Sequence, residues 1–144
     1  MSYTIKVRVY QTDVKTWFYD VERTNWHYAN GGTWTEANDE LTLSMGGSGT
    51  SGTLRFQNEA GERFTVALGV HNYVRWCDIV TNLAKDQTGL VINPQYYDNK
   101  YPNRQRAREA QLAEYSVSNA QGRKITVKYT TVDTQNLKAV IIIG

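Results

Sequence analysis

The stretch GVHNYVRWCDIVTN, residues 69–82, crowds His71, Asn72, Cys77, Asp78, Thr81 and Asn82 together. An asparagine amide offers donors and an acceptor, and an aspartate accepts at two oxygens. That mixture suits a neutral polyol, which needs directional hydrogen bonds, an aromatic wall for its C–H face and no large net charge. A structural reading competes: Asn72 could cap a helix that begins after it.

A second stretch, GGSGTSG at residues 46–52, contains G-x-G-x-x-G from Gly47 to Gly52. A dinucleotide cradle needs a helix after the loop, because the pyrophosphate rests on the helix N-terminus. Here TLRFQ follows, which alternates as a strand, and Gly52 is followed by Thr53 rather than the lysine of a P-loop. The loop therefore reads as a strand-to-strand connection whose glycines supply positive φ. Its lack of bulky side chains also lets a ligand reach the backbone, with the Ser48 and Thr50 hydroxyls nearby.

Catalytic chemistry is hard to assemble. His27 and His71 are the only histidines and Cys77 the only cysteine. Cys77 lies beside Trp76 in an apolar run, where a free cysteine usually serves as a small hydrophobe. Two histidines and one cysteine lack the ligand spacing of a zinc site, and no carboxylate pair stands out for acid–base work. No catalytic residue, metal or cofactor is expected. Lys100, Arg104, Arg106 and Arg108 near Tyr96, Tyr97 and Tyr101 could track single-stranded nucleic acid. The run reads more simply as a solvated helix face, partly neutralised by Glu109 and Glu114. The formal charge of +2 gives no independent reason to expect a nucleic-acid partner.

The chain has 144 residues, 40% apolar and 21% charged, which fits one globular domain over residues 1–144. Ten Tyr and four Trp supply either a binding surface or strand propensity. MSYTIKVRVYQ has no apolar run long enough for a signal peptide or a membrane span, and a lone cysteine forms no intrachain disulfide. A reducing, cytoplasmic location is the expectation.

The positioning elements are mostly strands. Apolar residues alternate at Ile5, Val7 and Val9; at Leu41, Leu43 and Met45; at Leu54 and Phe56; at Phe64, Val66, Leu68 and Val70; and at Ile125, Val127 and Tyr129. KAVIII closes the chain as a more fully buried strand. Turns are marked at Asn30-Gly31-Gly32, Ala60-Gly61-Glu62 and Gln121-Gly122-Arg123. Tyr73, Trp76, Ile79, Val80 and Leu83 recur at helical spacing and predict one short helix. NRQRAREAQLAEY predicts a second, running into a strand at Tyr115 to Val117. Many short strands with two small helices indicate a mainly β protein, a β-sandwich.

Five blocks, NWHYANGGTW, MGGSGTSGTLRF, GVHNYVRWCDIVTNL, LVINPQYY and AREAQLAEYSV, resemble the fungal fruit-body lectin family along nearly the whole chain. The resemblance implies an actinoporin-like β-sandwich of two sheets with one or two short helices in the connecting segment. It implies a non-enzymatic homotetramer that binds glycans and glycoproteins, meets membranes only through glycans, and helps defend the fungus against feeding animals. Some members slow proliferation of cultured epithelial cells. Two sugar sites per protomer are implied. The site for Galβ1-3GalNAc (the T-antigen disaccharide) and GalNAc would use Ala29, Ser48, Gly49, His71 and Asn72. The site for N-acetylglucosamine would use Asp78, Ile79, Val80 and Thr81 from the first helical segment, with Arg104 and Tyr115 from the later one. DNKYPN, residues 98–103, lengthens the loop before Arg104 relative to the family, so Arg106 competes for that role. Arg104 is preferred because it stands four residues before Arg108. A membrane-acting sandwich is the alternative, with exposed Trp17, Phe18 and Tyr19 entering a lipid interface.

Overall fold

The computed structural model describes residues 1–26, 31–131 and 135–144. Ten strands occur among them: β1 (Tyr3–Gln11), β2 (Tyr19–Trp26), β3 (Gly32–Ala37), β4 (Glu40–Met45), β5 (Ser51–Gln57), β6 (Arg63–His71), β7 (Val74–Val80), β8 (Glu114–Ser118), β9 (Lys124–Thr131) and β10 (Asn136–Ile143). Between β7 and β8 lie α1 (Gly89–Ile92), a 3-10 turn (Asn93–Tyr97) and α2 (Pro102–Ala110). A six-stranded sheet runs β3-β4-β1-β10-β9-β8, and a four-stranded sheet runs β2-β5-β6-β7. Strands β1 and β10 pair in parallel; the other pairings are antiparallel.

The alternating residues of the sequence meet between the sheets. Ile5, Val7, Leu43, Leu54, Phe56, Val66, Leu68, Ile125, Val127 and Ile141 belong to one buried cluster. Strand β6 is buried on both faces, because the segment from α1 to α2 covers the outside of the four-stranded sheet. There Ala67, Trp76, Leu83, Ile92 and Tyr96 form a second cluster.

That covering layer explains one departure from expectation. Residues 74–80 form strand β7, not a helix. Cys77 and Ile79 face the inter-sheet core, while Trp76 and Val80 face the outer cluster. A strand covered on both sides shows a continuous apolar run, in which helical spacing arises by coincidence. Asn72 accordingly caps no helix. His71 pairs with Val74 across a two-residue turn, and Asn72 and Tyr73 have φ of 48° and 66°, the two positive values of a type I′ hairpin. The expected second helix is present as α2, followed by strand β8. The closing strand β10 is buried on one face only, since Ile141 and Ile143 point inward while Ile142 is exposed.

The GGSGTSG loop leaves β4 in one sheet and enters β5 in the other. Gly49 has φ 95°, the positive value that glycine adopts without strain. Gly52 serves another need: a Cβ there would stand 2.7 Å from the Trp34 ring. The Gly49 N–H donates to the Val70 carbonyl at 2.8 Å, and the Val70 N–H to Thr50 O at 3.0 Å, which ties the loop to β6. Gly61 and Gly122 take φ of 86° and 79° in the turns expected there. The Asn30-Gly31-Gly32 signal falls partly outside the described residues.

At the far end of β5 and β6 a polar cluster closes the sandwich. The Glu62 carboxylate accepts from Asn58 Nδ2 at 2.7 Å, Asn119 Nδ2 at 2.8 Å and Arg123 Nε at 2.9 Å. Arg123 also donates to the Gly144 carbonyl at 2.5 Å.

Candidate functional site

Loop 46–50, the end of β6 and the β6–β7 turn meet at one corner of the four-stranded sheet. They enclose a cavity of about 390 Å³ lined by Trp26, Ser48, Gly49, His71, Asn72, Tyr73, Tyr97 and Arg108. Four of the five residues expected at a galactosyl site therefore share one cavity; Ala29 lies outside the described residues. The register explains the convergence. Ser51 pairs with both Gly69 and Trp26, so the starts of β5 and the ends of β2 and β6 are side by side.

The polar groups are fixed in place but not used up. Ser48 Oγ accepts the Tyr73 N–H at 2.9 Å, which leaves its own hydroxyl proton available. Arg108 Nη1 lies 3.3 Å from His71 Nδ1. A guanidinium only donates, so Nδ1 is the acceptor and the neutral imidazole carries its proton on Nε2. The Asn72 side-chain amide reaches Nε2 at 3.3 Å. The Asn72 atom at that contact is Nδ2; with the ring proton on Nε2 the amide must turn its Oδ1 to the ring, which would free the NH2. Burial, and then the Arg108 charge, lower the His71 pKa, which favours this neutral form.

Aromatic walls complete the cavity. Trp26 stacks on Tyr97 with ring centroids 4.5 Å apart and planes 9° from parallel. The Arg108 guanidinium lies over the Tyr97 ring, 5.0 Å from its centre. The Tyr97 hydroxyl is 2.7 Å from Ser51 Oγ, and burial pushes its pKa up to about 12, so it stays protonated. Gln111 locks α2 against the hairpin by donating to the His71 carbonyl at 2.6 Å and accepting from Arg75 at 2.9 Å. Among the described lining residues there is no carboxylate. Hydroxyl, amide and backbone groups beside aromatic rings can hold a neutral, hydroxyl-rich ligand.

Trp26, Tyr73, Tyr97 and Arg108 were not among the expected site residues. The Trp26–Tyr97 stack spans two distant stretches and leaves no local pattern. Tyr73 was findable: an asparagine between two apolar runs is a hairpin signal, and it would have placed the next residue in the turn.

The second expected set sits elsewhere. Asp78, Ile79 and Val80 lie along β7, with Thr81 just beyond it, in a strand and not in a helical segment. β7 is the edge of its sheet, so no strand pairs with its outward backbone groups. Helix α2, with Arg104, and strand β8, with Tyr115, pack beside β7. Tyr115 thus comes from a strand as well. Asp78 is buried, and its Oδ2 accepts from the Tyr96 hydroxyl at 2.7 Å. Burial raises the Asp78 pKa, opposed by Tyr96, the Ile79 N–H and the Arg104 charge. Arg104 donates to Gln95 at 3.2 Å, whereas Arg106 is exposed and bonds Asn103 within its own helix. Of the two, Arg104 is the one whose charge reaches Asp78.

Two other expectations are settled by packing. Cys77 is fully buried and its thiol pKa is pushed up to about 12, first by burial, which removes it as a nucleophile. Trp17 and Tyr19 are each 53% exposed, but Phe18 is 2% exposed and packs edge-on against Phe64. The exposed Trp17-Phe18-Tyr19 trio therefore does not exist. No helix among the described residues is long and apolar enough to cross a membrane.

A family model described as fungal fruit body lectin matches residues 1–141. The chain is 55% identical to Boletus edulis lectin over 143 residues, covering 99% of each. The crystal structure of wild-type Xerocomus chrysenteron lectin is 59% identical, superposes with a TM-score of 0.96 and is covered in full, as is this chain. A substituted form of that lectin superposes at 0.95.

Proposed function

Because the chain belongs to the fungal fruit body lectin family and is a carbohydrate-binding protein, we propose that it carries two distinct sugar sites per protomer. The cavity at the β6–β7 turn takes Galβ1-3GalNAc and GalNAc through Ser48, Gly49, His71 and Asn72, with Ala29 as a further member. The β7 edge takes N-acetylglucosamine through Asp78, Ile79, Val80 and Thr81, with Arg104 and Tyr115. The observation that carries the first site is its half-used polar groups: the Ser48 hydroxyl proton and the Asn72 side-chain amide beside the Trp26–Tyr97 stack. What supports the second is an edge strand whose backbone can meet an acetamido group, flanked by Arg104. The protein acts as a homotetrameric, non-enzymatic lectin without a cofactor, made in the cytoplasm and directed against feeding animals, with no nucleic-acid partner.

Titration of two variants with two sugars tests the reading. Asn72→Ala should weaken galactosyl binding and spare N-acetylglucosamine; Asp78→Ala should do the reverse. Each lost hydrogen bond should cost about 1–3 kcal/mol where its partner is left unpaired. Equal losses for both sugars would refute separate sites, and a glycan array silent for both sugars would refute the assignment.

A further inference from the structure

A type I′ turn favours Asn-Gly, because both central residues take positive φ. Here the second residue is Tyr73, at φ 66°. The other described non-glycine residues with positive φ are Asn38, Asp39, Asn72, Asn82 and Gln111, all with an amide or carboxylate side chain. A bulky side chain in this region is strained and persists only where the surroundings hold it. The Tyr73 N–H is held by Ser48 Oγ at 2.9 Å, but its residue is 74% exposed, so burial does not offset the strain. The residue lines the cavity and is its most exposed aromatic.

Strain kept without burial points to a ligand. The Trp26–Tyr97 stack walls the cavity on the side of β2 and the 3-10 turn, and Tyr73 stands at the solvent-exposed hairpin tip. A saccharide held by Ser48 and Asn72 must extend its next unit toward solvent, past that tip. We propose that Tyr73 is the specificity-determining residue for a second, linked sugar unit, offering its ring to the C–H face of that pyranose. The inference rests on the galactosyl reading of the cavity.

The experiment is calorimetric titration of methyl β-galactoside and of Galβ1-3GalNAc against wild type, Tyr73→Gly, Tyr73→Phe and Asn72→Gly. Tyr73→Gly should raise the melting temperature by relieving the turn. It should weaken the disaccharide roughly three- to tenfold, the value of an aromatic contact, while the monosaccharide changes less than about twofold. Tyr73→Phe keeps the ring and should retain the disaccharide preference. Equal losses for both sugars, no loss for either, or a lower melting temperature in Tyr73→Gly overturns the rim assignment alone. Wild type that binds neither sugar, or galactosyl binding undiminished in Asn72→Gly, overturns the cavity reading and the rim assignment with it.

Discussion

The two ends of strands β5 and β6 hold polar clusters that work in opposite ways. At one end Glu62, Asn58, Asn119 and Arg123 satisfy one another, and Arg123 turns its remaining N–H groups to Gly144 and Asp13. At the other end, roughly 25 Å away along β6, His71 is engaged at both ring nitrogens, while Ser48 and Asn72 are oriented by neighbours yet keep hydrogen-bonding capacity unspent. Both clusters are ordered by the same two strands. A completed network holds the fold, and an incomplete one beside a cavity is prepared for a ligand.

Breaking the closed cluster should have the largest effect. Arg123→Ala leaves the buried Glu62 carboxylate without its cation and should cost about 3–5 kcal/mol in urea unfolding. Sugar affinity of the folded fraction should stay unchanged; a parallel loss of affinity would mean that the two ends are coupled.

Acid should act on the same end. Arg123 first, then Asn119 and Asn58, lower the Glu62 pKa from 4.5 to about 2 against the opposing effect of burial. A depressed carboxylate pKa contributes stability that is complete above its unfolded value and is lost as pH falls from about 4.5 through about 2. On the order of 3 kcal/mol should disappear over that window in wild type. Glu62→Gln should start less stable and show a flatter profile; identical profiles would remove Glu62 from the account.

At the open end, Asn72→Gly sharpens the comparison, because glycine suits the turn while the amide is lost. Galactosyl binding should weaken by about 1–3 kcal/mol, with unfolding stability changed by less than about 0.5 kcal/mol. The smallest effect concerns His71. Burial and Arg108 hold its pKa below the ordinary histidine value, so it stays neutral as pH falls to the usual imidazole range. Galactosyl affinity should be flat between about pH 8 and 6.5. A decline across that interval would show that the ring charges early and that Arg108 does not face it.

Much of the fold was legible because one face of most strands meets the core and the other meets water. Ile5, Val7 and Val9, or Ile125, Val127 and Tyr129, announce themselves by alternation. Strand β7 did not, since Cys77 and Trp76 are buried on opposite faces and the period vanishes. Of the residues that line the cavity, Ser48 and Gly49 stood out in sequence through the loop's small residues, and His71 and Asn72 through their chemistry and their family block. Trp26, Tyr97 and Arg108 did not, because their contacts join β2, the 3-10 turn and α2, and exist only once the chain has folded.

The parallel pairing of β1 with β10 has a consequence for synthesis. β10 lies between β1 and β9 in the middle of the six-stranded sheet, and Thr4 pairs with Asn136. A nascent chain emerging from the ribosome therefore carries a gap at the centre of that sheet until residues 136–143 arrive. Strand β1 has β4 on one side early and nothing on the other. The β1–β10 pairing joins residues 132 apart in sequence, a contact of high order of the kind that slows folding. Removal of the last eight-residue strand should consequently abolish the fold as a unit, leaving exposed strand edges prone to aggregation.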